Sequence, residues 1–129
     1  MQQTVDDTPS LSQDYVLECL ARAAYAWDCS LRGSAEGAAA RRYMVRYARN
    51  VWHMRLPRKA EHERLMFLPR KFVARHVVQL FWGDHEGREN DPYLKRIGYN
   101  ITKTICEYED WHGLVNDINE RVDEAFDDD

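Results

Sequence analysis

Positively charged side chains that could bind anions are concentrated in the middle of this chain. Residues 41–75 hold 11 of the 18 basic residues and only two of the 22 acidic ones, a formal charge of +9. The residues before this stretch sum to −4 and those after it to −9. Arginine dominates the stretch, and its planar guanidinium suits paired contacts with phosphate or carboxylate. The pattern predicts nucleic acid, a nucleoprotein complex or an acidic protein surface as the partner.

Part of this charge is expected to form a regular stripe on one helix. Ser34 is a suitable N-cap, and the helical pattern that follows extends to about Leu56. At about 100° per residue, four basic side chains fall within about 60° of one another on this helix. They are Arg42, Arg46, Arg49 and His53.

A second feature of the basic stretch is a repeated tetrapeptide. The sequence Leu-Pro-Arg-Lys occurs at residues 56–59 and again at residues 68–71. Each copy predicts proline at the first helical position and two cations in the first turn, where the helix dipole disfavours positive charge. An anion bound at each helix start would compensate. The predicted binding surface comprises Arg42, Arg46, Arg49, His53, Arg58, Lys59, Arg70, Lys71 and Arg75.

An enzymatic alternative rests on Arg46 and His53, between which six residues lie. This spacing resembles that of many Arg–His pairs in HEPN-type ribonucleases, which are small all-α enzymes that commonly dimerise. Seven positions make two helical turns, so both side chains would point the same way and could polarise a phosphodiester. Tyr47 departs from that family's pattern, in which the residue after the arginine is usually polar. The resemblance implies a metal-independent ribonuclease.

Other chemistry finds little support in the sequence. Glu109 and His112 form one Glu-x-x-His motif, but carboxylate-bridged metal sites in bundles need a second copy, and the chain has none. We therefore expect no metal and no cofactor, and we assign no catalytic residue in the leading interpretation. The three cysteines, Cys19, Cys29 and Cys106, include no Cys-x-x-Cys pair and are expected to be small buried thiols.

Helical periodicity along the chain predicts the scaffold for these residues. We expect a compact single-domain all-α bundle of about five helices over residues 10–126, a flexible N-terminus over residues 1–9 and an acidic tail over residues 127–129. Ser10 is the expected N-cap of the first helix, and Asp28 and Arg32 are expected to pair on its solvent side. Residues 58–67 are expected to form a short helix.

Each predicted helix has an apolar side that should face the core. The expected inward residues are Val16, Leu20, Ala23, Trp27 and Leu31; Met44, Ala48, Val51 and Arg55; Val73, Val77, Leu80 and Phe81; Leu94, Ile97, Ile101, Ile105 and Tyr108; and Leu114, Ile118, Val122 and Ala125. The four tryptophans are expected in the core, while Tyr43, Tyr47 and Phe67 could stack on bases if exposed.

These observations favour a cytoplasmic, non-enzymatic binding protein, since the chain has no secretion signal and no apolar run of about 20 residues. Its size and charge suit a small subunit of a nucleoprotein machine or a phage-encoded inhibitor of one. A third alternative is a homo-oligomeric structural protein, for example a homodimer, in which the acidic helices over residues 107–126 neutralise the basic stretch internally.

Overall fold

All regular structure that the computed structural model describes, over residues 13–127, is helical, with no strand in that range. This confirms the predicted all-α class with five α-helices. The N-cap at Ser10, the expected flexible segment 1–9 and residues 128–129 of the expected tail lie outside the described residues. The helices are α1 (Gln13–Ser30), α2 (Ala35–Asn50), α3 (Arg70–Asp84), α4 (Pro92–Glu107) and α5 (Trp111–Asp127).

Helix α1 is the centre of the bundle, since it contacts each of the other four helices. Helices α3 and α4 form the most extensive pair. Gly98 of α4 packs against Trp82 of α3, and a Cβ atom added there would lie 3.4 Å from the indole nitrogen, at ordinary van der Waals contact. Gly33, with a φ of 138°, allows the turn between α1 and α2. Ser34 caps α2 by accepting a hydrogen bond from the Gly37 amide, as predicted.

The core contains most of the apolar side chains that periodicity placed inside. Exceptions are Val51 and Leu80, which are 51% and 42% exposed, and the exposed Arg55. Leu31, Met44, Tyr108 and Ala125 are half-buried. The predicted inward residues that are buried are Val16, Leu20, Ala23, Trp27, Ala48, Val73, Val77, Phe81, Leu94, Ile97, Ile101, Ile105, Leu114, Ile118 and Val122.

The predicted extension of the second helix to Leu56 is wrong, because α2 ends at Asn50. The Met54 amide donates a hydrogen bond back to the Ala48 carbonyl, and His53 between them adopts a φ of 54°. This left-handed conformation cannot continue an α-helix. The half-buried Trp52 turns instead toward Phe72 of α3, with ring centroids 6.3 Å apart.

The predicted helix over residues 58–67 is also wrong. Two short 3₁₀ turns, Ala60–His62 and Leu65–Phe67, occupy this segment. Its Glu61 and Glu63 carbonyls accept hydrogen bonds from the side chains of Arg41 and Trp27, each at 2.7 Å. These carbonyls are therefore committed to long-range partners instead of a regular α-helical ladder.

A buried carboxylate ties this segment to the centre of the bundle. Asp28 is 3% exposed, so it does not lie on the solvent side of α1 as predicted. It accepts hydrogen bonds from Arg64 Nε at 2.9 Å and from the Leu65 amide at 3.1 Å. Arg64 also donates to the exposed Asp123 of α5 at 2.9 Å. One guanidinium thus connects α1, the 3₁₀ segment and α5.

We expect Asp28→Asn to lower the free energy of unfolding by about 3 kcal/mol, since it leaves a partly buried cation without its main partner. Asp123→Asn, which changes charge equally at an exposed site of the same arginine, should cost less than about 1 kcal/mol. Urea unfolding followed by circular dichroism measures both values. Equal losses in the two variants would contradict the central role of Asp28.

His76 is another buried ionisable side chain, and it lies against Trp27. Its ring stacks on Phe72, with centroids 5.9 Å apart, and meets the Trp27 ring at 5.2 Å. Its Nδ1 atom has no hydrogen-bond partner among the described residues. Burial lowers the pKa of His76 from 6.5 to about 4, so the ring is neutral at neutral pH.

The lowered pKa of His76 predicts a specific loss of stability on acidification. Below pH 6.5 the unfolded chain binds a proton that the folded chain does not bind until about pH 4. The free energy of unfolding should therefore fall by about 2 kcal/mol between about pH 7 and about pH 5. His76→Phe should remove this part of the pH dependence, whereas exposed His62→Gln should not. Urea unfolding at the two pH values tests this, and an unchanged slope in His76→Phe would contradict it.

Candidate functional site

Three arginines form an exposed row along α2. Arg42, Arg46 and Arg49 follow one another at successive helical turns, and all three are exposed. None of them forms an ion pair with any residue between 13 and 127. The buried residues of α2, Arg41, Val45 and Ala48, lie on a neighbouring side of the helix, so the row faces away from the core. Tyr43, 62% exposed, borders it. The structure thus places three of the nine predicted site residues in the predicted arrangement.

His53 does not belong to this row, contrary to the prediction. It is exposed in the chain reversal after α2, three residues beyond the end of the helix. The argument that Arg46 and His53 point the same way required two continuous helical turns between them. Because α2 ends at Asn50, that geometry is absent, and the ribonuclease alternative loses the feature on which it was based.

An aromatic series connects the row on α2 to a basic face on α3. The Tyr43 and Tyr47 rings lie 6.0 Å apart, and the Tyr47 and Trp52 rings lie 5.3 Å apart. Trp52 lies below the Arg75 guanidinium, whose central carbon is 5.5 Å from the ring centroid. Lys71, one turn before Arg75, is exposed on the same side of α3.

A shallow groove with a volume of about 350 Å³ opens beside Trp52 and Arg75. Val78 and Gln79 of α3 and Thr102 of α4 complete its lining. Sequence reasoning missed this groove, because it expected Trp52 in the core and gave Gln79 and Thr102 no role. No local pattern indicates it, since its walls come from three separate segments.

Arg70 has its partners within the chain. Its Nη1 atom donates to the carbonyls of Cys106 at 2.8 Å and Tyr108 at 3.2 Å, at the C-terminal end of α4. Its guanidinium also lies over the Trp111 ring, 4.5 Å from the centroid. The negative end of the α4 dipole therefore supplies the compensation that was predicted to come from an external anion. Pro69 is the N-cap of α3 and not its first helical residue.

Arg58 and Lys59 are exposed, but they do not begin an α-helix as predicted. Both precede the three-residue 3₁₀ turn Ala60–His62. The argument from an opposed helix dipole therefore does not apply to them. They remain part of the positive surface by charge and exposure alone.

Two further arginines of the basic stretch, Arg41 and Arg64, are structural. Arg41 is buried on α2 and donates to the Ser30 hydroxyl and the Glu61 carbonyl. Burial lowers the pKa of its guanidinium, and the neighbouring Arg42 charge lowers it further. Arg64 forms the ion pair between α5 and the basic stretch through Asp123. No ion pair joins the described acidic residues of α5 to any of the nine predicted site residues.

Other candidate chemistry is not assembled in residues 13–127. No group of three or more histidine, cysteine or acidic side chains there is arranged to hold a metal ion. Cys19 and Cys106 are half-buried, whereas Cys29 is exposed, so the predicted burial of Cys29 is wrong.

Phe67, which is 59% exposed, lies in a separate shallow groove with Trp111. Within residues 13–127, no helix has both the length and the apolar composition needed to cross a bilayer.

Comparison of the chain with protein-family models, with curated proteins and with solved structures finds no match.

Proposed function

We propose that the protein binds the phosphate backbone of nucleic acid, as a small non-enzymatic component or inhibitor of a nucleoprotein machine. The observation that carries this proposal is the row of Arg42, Arg46 and Arg49, exposed on α2 without ion pairs among the described residues. Its ends lie seven helical positions apart, a rise of about 10 Å. Such a row can follow a backbone in which each nucleotide carries a negative charge.

The exposed residues around this row support a polyanion more than a compact acidic ligand. Lys71 and Arg75 extend the positive face onto α3, and Tyr43 adds an exposed ring beside the arginines. Aromatic rings interleaved with cations are typical of surfaces that contact both bases and phosphates. An acidic protein surface would also pair with these cations, but its carboxylates would not stack on the exposed aromatic ring as bases do.

The proposal predicts salt-dependent binding that depends on the arginine row. Replacing Arg42, Arg46 and Arg49 together with glutamine should weaken binding to a fluorescein-labelled oligonucleotide and reduce the slope of log K against log salt by about 2. The three side chains are exposed, so the fold should be retained. Fluorescence anisotropy titrations at several salt concentrations measure both quantities.

The matched control replaces three exposed arginines outside the row with glutamine, namely Arg22, Arg96 and Arg121. It has the same net charge as the first triple variant. It should bind the oligonucleotide with nearly the wild-type slope of log K against log salt. Equal losses in both triple variants would mean that only overall charge matters. No binding at low salt by the wild-type protein would refute the proposal, and tight association with an acidic protein instead would assign the row to a protein partner.

A further inference from the structure

The groove beside Trp52 differs from the arginine row in that an aromatic side chain and hydrogen-bonding side chains line it together. One wall is the half-buried indole of Trp52, and the others come from the side chains of Val78, Gln79 and Thr102. Its volume of about 350 Å³ equals that of about twelve water molecules in the liquid. This space is sufficient for one nucleobase but not for a folded protein element.

The Trp52 ring forms T-shaped contacts with Tyr47 and Phe72, while the Arg75 guanidinium lies over it at a longer distance than in other such pairs of this protein. Tyr47 and Phe72 meet the indole at interplanar angles of 87° and 61°. Arg75 lies 5.5 Å from the ring centroid, farther than Arg70 from Trp111 at 4.5 Å or Arg32 from Phe126 at 3.9 Å. The guanidinium therefore does not close over the ring as tightly as in the two other pairs.

The polar groups of the groove can complement the edge of a base. The Gln79 amide is exposed and can both donate and accept hydrogen bonds. The Thr102 hydroxyl donates to the Gly98 carbonyl at 3.3 Å, which leaves its oxygen able to accept a hydrogen bond from a ligand. Arg75 at the rim is placed to contact the adjoining phosphate.

We propose that this groove binds one unpaired base, stacked on Trp52 and hydrogen-bonded to Gln79 and Thr102, so that the protein recognises single-stranded nucleic acid. The inference rests on the proposed phosphate binding by the α2 row. The aromatic series from Tyr43 through Tyr47 to Trp52 connects the row with the groove. Bases paired inside a duplex cannot reach the groove, because stacking holds them within the helix.

The first test changes the ligand and leaves the protein intact. Wild-type protein is titrated with a labelled oligothymidylate and with an abasic strand of the same length and phosphate number. Stacking of one base predicts binding of the thymidylate strand about tenfold tighter than the abasic strand. A duplex of equal length should bind more weakly than the thymidylate strand.

The second test locates the base. Trp52→Leu should bring the affinity ratio between thymidylate and abasic strands close to one, and Gln79→Glu should lower it. Gln79 is exposed, so its variant keeps the fold even if Trp52→Leu is destabilised by lost packing on Phe72. The exposed Asn116→Asp on α5 adds the same charge and should keep the tenfold ratio.

The outcomes separate this inference from the proposed function. Equal, salt-dependent binding of thymidylate and abasic strands, or tighter binding of duplex, would overturn the base-binding groove while phosphate binding by the α2 row stands. A tenfold ratio that persists in Gln79→Glu and Trp52→Leu would likewise overturn the assignment to this groove. Absence of binding to every strand would overturn both proposals.

Discussion

The buried carboxylate of Asp28 is the constraint on which the arrangement of the basic stretch depends. Residues 51–69 contain no α-helix and contribute Leu65 and Met66 to the core, so long-range contacts must fix their path. Asp28 binds the Arg64 guanidinium and the Leu65 amide together, and Arg41 and Trp27 bind the carbonyls just before them. A desolvated carboxylate that loses these donors would be costly, which makes the path of the segment specific.

The arginines of the basic stretch fall into two groups, according to whether they contact other residues of the chain. Arg41, Arg64 and Arg70 bind carbonyls, a hydroxyl or carboxylates within the chain, and each joins segments that are distant in sequence. Arg42 and Arg46, by contrast, are exposed and have no ion pair among the described residues. A formal charge of +9 therefore overstates the positive surface that is open to an external partner.

Sequence periodicity predicted those parts of the fold that depend on local patterns. The apolar sides of α1, α4 and α5 and the Arg42–Arg46–Arg49 row follow from helical spacing alone. The end of α2, the 3₁₀ segment and the groove beside Trp52 could not be predicted in this way, because a left-handed His53 and contacts between residues 36 or 37 positions apart determine them. Asp28 looked like a surface residue because its partner lies in another segment.

The small buried surface and the exposed charges of α2 give a physical reason why a bound anion would stabilise this helix. The helix buries only Arg41, Val45 and Ala48, so it has a smaller apolar anchor than α1. Arg42 and Arg46 stand one turn apart, and like charges at this spacing disfavour a helix by a few tenths of a kcal/mol. The charge of Arg42 also opposes that of the buried Arg41. A phosphate bound at the row as proposed would relieve both repulsions, so its binding would stabilise α2.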